Sequence, residues 1–205
     1  MFRPAACNSA CNAAEFAHNF TCRTLTSIPL IGSARSKISS DDGQSGKWEV
    51  GMVDIIKRTT LMVRNAERAA QWYETVFGMS RWMDVPFTLS GTQLAAGKKG
   101  DQTRLVILKC DHDMIGMIGL LEWLDPKQDA PAELPTKIGF GAPIFVVAAK
   151  DCRTSVESAR ALGSFIYCEP CDSTVTGADG NEKQLIAASF FDLDGYFFEV
   201  NEHVK

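Results

Sequence analysis

Two glutamates each stand alone in a run of large apolar residues: Glu122 in GLLEWLDP and Glu199 in GYFFEVNE. A carboxylate in such surroundings is costly to bury unless a cation, a hydrogen-bond donor or a metal ion answers it. General acid–base catalysis, ligation of a hard cation and anchoring of a ligand all use such a group. Strand periodicity puts Leu120, Glu122 and Leu124 on one face, with Leu121 and Trp123 on the other. Likewise Phe197, Glu199 and Asn201 lie opposite Phe198 and Val200. If helices cover one face of each sheet, the glutamates point into whatever the other face encloses, and they are expected to meet across a cleft. Trp82, Phe87 and Phe197 are candidates for its apolar wall, and Arg104 for a contact with an anionic group. Plain packing is the simpler reading of the aromatics, and an edge-strand charge that of Arg104.

Other chemistry-bearing residues form no second constellation. Cys168-Glu-Pro-Cys171 has CxxC spacing, but no second CxxC or HxxxH pair completes a zinc shell. A thioredoxin-type motif would open a helix, whereas a turn-rich stretch (CDSTVTGADG) is expected after this one. The seven cysteines, an odd number, argue for reduced thiols and a cytoplasmic setting. His18, His112 and His203 are widely scattered.

The elements that must position these residues recur. VDIIKRTTLMV reads as a strand, and RNAERAAQWYETVFG as a helix with Asn65 as N-cap and Gly78 past its end. SRWMDVPFTL, TRLVILKC and IGMIGLLEWL read as three further strands. After the proline-bearing DPKQDAPAELPTK, the order restarts with APIFVVAAK, the helix DCRTSVESARALG and the strands SFIYCEP, QLIAASFFD and YFFEVNE. The order β-α-β-β-β therefore occurs twice. Gly78 and Gly163 lie 85 residues apart and Glu122 and Glu199 lie 77 apart, a difference assigned to loop lengths. The expected organisation is a poorly structured extension (1–47), a first module (53–124), a linker (125–138) and a second module (139–205).

The 205 residues carry 21 basic and 25 acidic side chains, and 45% are hydrophobic. Without a dense basic cluster, nucleic acid is not expected as a partner. Without an apolar stretch near the ~20 residues of a spanning helix, neither is a membrane.

TTLMVRNAERAAQWYETVFGM, GLLEWLDP and FFDLDGYFFEVNE resemble the opening and closing segments of vicinal oxygen chelate proteins. That superfamily includes glyoxalase I, extradiol dioxygenases and bleomycin-binding proteins. The resemblance covers roughly residues 53–203. It implies an α+β fold of two βαβββ modules forming curled mixed sheets around a cleft. It also implies a small-molecule ligand and a homodimer.

Each module of such proteins usually offers two metal ligands, one on its first strand and a glutamate on its last. By the resemblance, Glu122 and Glu199 take the last-strand places. The first-strand place in module one falls on Arg58, which shares a strand face with Thr60 and Met62, and that in module two on Ala142, Pro143 or Ile144. None of these binds a cation, so a divalent metal at Glu122 and Glu199 is disfavoured and no cofactor is expected. Arg58 is expected to stand in the metal's place, bridging the two carboxylates. The implied function is a lyase or isomerase using Glu199, Glu122 and Arg58, with Thr60, Trp82, Phe87, Arg104 and Phe197 around the ligand. The alternative is a non-catalytic binder of an apolar or cationic molecule. A metal-dependent dioxygenase is disfavoured by the missing histidines.

Overall fold

The structure, a computed structural model, describes residues 55–113 and 115–204. The expected 1–47 extension lies outside the described residues. Four strands and a helix, β1 (Arg58–Met62), α1 (Ala66–Phe77), β2 (Ser80–Thr88), β3 (Gln102–Lys109) and β4 (Met117–Asp125), make the first module. The second repeats it as β5 (Ile144–Ala148), α2 (Cys152–Ala161), β6 (Phe165–Thr176), β7 (Glu182–Phe191) and β8 (Phe197–His203). The strand orders are β1-β4-β3-β2 (sheet A) and β5-β8-β7-β6 (sheet B). In both, the first strand pairs parallel with the last, and the rest are antiparallel. This is the duplicated α+β architecture expected from the sequence.

The helices form where capping and amphipathicity agree. Asn65 accepts from the Arg68 N–H, and Gly78, at φ +66°, sends its own N–H to Glu74 O. That left-handed angle is why glycine ends the helix. Asp151 caps α2 in the same way, accepting from the Thr154 N–H. Both helices bury one face into a common core with the inner faces of both sheets. Leu61, Val106 and Leu120 come from sheet A, and Phe190, Phe198 and Val200 from sheet B. Trp72 of α1 sits edge-on to Phe190 at 6.0 Å and tilted against Phe198 at 5.6 Å. Its indole N–H donates to Ser164 Oγ at 2.8 Å. Truncating this fully buried side chain to alanine would cost about 3–5 kcal/mol.

The helices thus lie on the inner faces of both sheets, and the outer faces turn away from this core. The outer faces stay open: Val146 is 66% exposed, Tyr167 61%, and Ile144 and Trp82 each 53%. A single chain therefore does not enclose a cleft between its own sheets. β6 also departs from expectation. It runs through Cys168 and Cys171 to Thr176 rather than ending at Pro170, with shifts of register on either side of Cys168. An edge strand tolerates a proline at such an irregularity. Cys110, Cys152 and Cys171 are in no disulfide. No described helix is long and apolar enough to cross a membrane.

Candidate functional site

The two glutamates do not meet. Along β4, Leu120 and Ile118 pack on the helices, and Glu122 shares their side of the strand. Glu122 Oε2 accepts the N–H of Ala66, the first residue of α1, at 2.8 Å. That satisfies one of the donors a helix start leaves over, next to the positive end of its dipole. Leu121 and Trp123, on the opposite side, pack with Leu89 in a small separate cluster. Glu122 also borders a cavity of about 340 Å³ beneath the linker. Arg64, Asp194 and Tyr196 in its lining are tied up within the chain. Arg64 bonds Asp194 Oδ1 and Leu193 O, and the Tyr196 hydroxyl donates to Met62 O. They tie the first module's β1–α1 corner to the second module's closing hairpin.

The counterpart of Glu122 is Glu202, which the sequence reading missed. Glu202 Oε2 accepts the N–H of Cys152, the first residue of α2, at 2.9 Å. The registers agree: the Val63 N–H donates to Leu121 O, and the Ala149 N–H to Asn201 O. Leu121 therefore corresponds to Asn201, Glu122 to Glu202, and Glu199 to Gly119. Glu199 does lie on the open face of sheet B, across the parallel pair from Val146. Its Oε1 accepts from Asn201 Nδ2 at 3.1 Å. Phe197 stands on the same face, 5.0 Å from Phe191 and 6.1 Å from Tyr167 between ring centres.

Arg58 neither bridges the carboxylates nor lies near Glu122. It belongs to the open face of sheet A, where its Nε donates to Thr60 Oγ1 at 3.1 Å. Its side chain lies flat across Gly119. A methyl group on Gly119 would come within 2.8 Å of Thr60 Oγ1 and 3.2 Å of Arg58 Cδ. Arg58 and Thr60 border a cup of about 340 Å³ walled by Phe87, Leu89, Leu105 and Leu121. The loop 90–100 folds over the sheet as its rim. It is held by Asp101, which accepts from the Lys98 N–H at 2.9 Å and Trp123 Nε1 at 3.3 Å. At Gly97, a Cβ would fall 2.6 Å from Leu89 and 2.7 Å from Asp101, so only glycine lets the loop approach so closely. Trp82 lies beside Arg58 and Thr60, in a shallower adjoining hollow with Met117.

Arg104 does not reach this cup. It sits on the helix side of β3, where its guanidinium bonds both oxygens of Asp84 at 2.8 and 2.7 Å and Glu67 at 2.8 Å. Arg81 joins the cluster through Glu67 and Glu74. Hydrogen bonds from Arg81 and then Arg104 lower the Glu67 carboxyl to about 2, and those from Arg104 hold Asp84 below its usual range.

The donor set does not fit a metal. The paired first- and last-strand positions on the open faces are Thr60 with Gly119 and Val146 with Glu199. One carboxylate in four leaves a divalent cation most of its shell in water. Among the described residues, no group of three or more histidine, cysteine or acidic side chains could hold a metal ion.

Solved structures share this architecture. A glyoxalase family protein from Bacillus cereus aligns over 78% of this chain and all of its own, with TM-score 0.56 and 14% identity. Glyoxalase I from Leishmania major aligns over 73% of this chain and 87% of its own, with TM-score 0.48 and 16% identity. The fosfomycin resistance protein FosX from Mesorhizobium loti aligns over 73% and 91%, with TM-score 0.41 and 17% identity. No family model and no curated protein matches the sequence. The paired βαβββ modules, their strand orders and the alignment with the Bacillus cereus protein together give the chain the fold of the vicinal oxygen chelate proteins.

Proposed function

We propose that this chain holds a small organic molecule in the cup on the open face of sheet A, closed by sheet B of a second copy. The observation that carries the reading is the cup itself. It is a concavity of about 340 Å³ with apolar walls, two polar side chains from the sheet, Arg58 and Thr60, and two from the rim loop, Ser90 and Gln93. Small-molecule sites have that make-up and start near that size. The second copy is argued from the faces left bare. Ile144, Val146, Phe165 and Tyr167 are about half exposed or more on sheet B, as are Trp82 and Phe87 on sheet A. Apolar faces of that extent mark interaction surfaces. A twofold-symmetric homodimer joining sheet A of each copy to sheet B of the other covers both and makes two equivalent clefts. The unpaired Cys110, Cys152 and Cys171 support a cytoplasmic setting.

The test is ligand-observed NMR of the full chain against a library of small carbonyl and aromatic compounds, with sedimentation velocity alongside. The expected outcome is a dimer that saturates some compounds. Phe87→Asp should abolish binding, and Tyr167→Asp should yield monomers with weakened binding. Hits that survive Phe87→Asp would place the ligand elsewhere.

A second reading, catalysis of proton transfer, rests on Glu199. Its carboxylate is exposed on the face that would meet the cup, and one oxygen is steadied by Asn201. A carboxylate so placed can act as base next to a carbonyl, with Arg58 stabilising the charge that develops on oxygen. Deuterium incorporation from D2O into a bound carbonyl compound, lost in Glu199→Gln, would assign a lyase or isomerase. Binding without exchange would assign sequestration.

A further inference from the structure

We infer that the molecule held in the cup is an organic anion, a carboxylate on an apolar body, with Arg58 as the residue that selects it. The inference rests on the cup being the ligand site and names the chemical class that site takes.

Among the described residues, Arg58 makes no ion pair, and its hydrogen bond to Thr60 uses only Nε. Both terminal nitrogens are left with two N–H groups each, the fork that matches the two oxygens of a carboxylate. The other arginines that might serve are occupied. Arg64 is tied to Asp194, Arg81 to Glu67 and Glu74, and Arg104 to Asp84 and Glu67. Among the described residues, no acidic side chain borders the cup. Within the chain itself a cationic ligand would therefore meet an unanswered positive charge, and a neutral one would leave that charge to the Glu199 carboxylate of the closing copy.

Gly119 adds a second, independent observation. At this strand position a side chain would stand up from the sheet in the space that Arg58 and Thr60 fill. Its absence lets the Arg58 side chain lie along the sheet over Gly119, at the border of the cup that Leu105 and Leu121 also line, while Arg58 itself stays exposed in the single chain. Closure of the cup by a second copy would remove competing water from that guanidinium and strengthen its charge-assisted bond to a bound anion. Thr60, bonded to Nε, fixes its rotation. The walls, Phe87, Leu89, Leu94 and Leu105, offer apolar surface to the rest of the ligand.

Isothermal titration calorimetry of the full chain with 1-naphthoate, 1-naphthamide and 1-naphthylmethylammonium separates head group from body. The expected result is a naphthoate Kd about tenfold or more below those of the amide and the ammonium, the advantage shrinking as salt is raised. Arg58→Gln should erase the advantage of naphthoate over naphthamide without lowering the melting temperature, and Arg58→Lys should restore part of it. Gly119→Ala should weaken naphthoate selectively, because the added methyl displaces the guanidinium. Equal binding of all three, lost together in Phe87→Asp, would keep the cup as the site and overturn the anion. An Arg58→Gln protein that still prefers naphthoate would also overturn it. Binding of none of the three would remove both the cup reading and this inference.

Discussion

Glu122 and Glu199 are the same residue type in similar strands, yet they do different work. Glu122 stands on the core side of β4 and accepts a helix N–H, whereas Glu199 stands on the open side of β8. Removing the helix-capping carboxylate strands a donor at the start of α1, so Glu122→Ala should cost about 1–2 kcal/mol. Glu199→Ala, at an exposed position, should stay within about 0.5 kcal/mol of the parent. Urea denaturation of the two variants checks this. Equal losses would mean that Glu199 also has a structural partner.

At the scale of elements, α1 is fastened to β2 and β3 by charge as well as by packing. Arg81 and Arg104 straddle Glu67, Glu74 and Asp84, with side chains between 27% and 40% exposed. Partial exposure screens such pairs, but a network with bidentate arginine contacts holds more than isolated ones do. Arg104→Gln should therefore lower stability by about 1 kcal/mol at low salt and less at high salt, without changing ligand affinity. Calorimetric melting at two ionic strengths measures the first, and titration with the best ligand the second. A large loss of affinity would return Arg104 to the ligand site that TRLVILKC first suggested.

For the molecule as a whole, the closing hairpin sets the response to pH. Asp192 is buried between the modules. It accepts the N–H groups of Asp194 and Tyr196, and the Tyr73 hydroxyl at 2.9 Å. Burial outweighs those bonds and raises its carboxyl to about 6. A raised carboxyl favours the protonated folded state. Its contribution is complete below the unfolded value near 4 and is lost as pH rises through about 6, on the order of 3 kcal/mol. Glu67 and Asp84, held low by arginines, act in the opposite sense, and their contribution is lost as pH falls below about 4.5. Stability should peak between about pH 4 and 5, and Asp192→Asn should flatten the fall between about pH 4.5 and 6. Denaturant midpoints at half-unit intervals of pH would show this, and a parent profile flat from about 4 to 7 would refute it.

Much of this fold is determined by the sequence alone. Capping residues, helical spacing and glycine stops mark α1 and α2, and alternation with β-branched residues marks the strands, because these signals act within a few residues of chain. The repeat follows, since the same local signals recur in the same order. Which face of a strand turns inward is a different matter. Period-two spacing establishes that Glu122 opposes Leu121 and that Glu199 opposes Phe198, but it does not say which set meets the helices. Both faces of β4 are apolar. Ile118 and Leu120 on one side are no less hydrophobic than Leu121 and Trp123 on the other, so composition does not break the tie.

Only the tertiary structure breaks that tie. The core side of β4 is whichever side α1 docks on, and docking is decided by long-range packing of Trp72, Tyr73 and Phe198. Once α1 is seated, its first N–H falls opposite Glu122, and the same geometry in the second module selects Glu202 rather than Glu199. The 77-residue spacing of Glu122 and Glu199 paired two residues that do not correspond, because loop length and register shift trade against each other along the chain. The cup has the same origin. Arg58, Thr60, Gly119 and Phe87 come from three strands, and only sheet register and a folded-back loop bring them together.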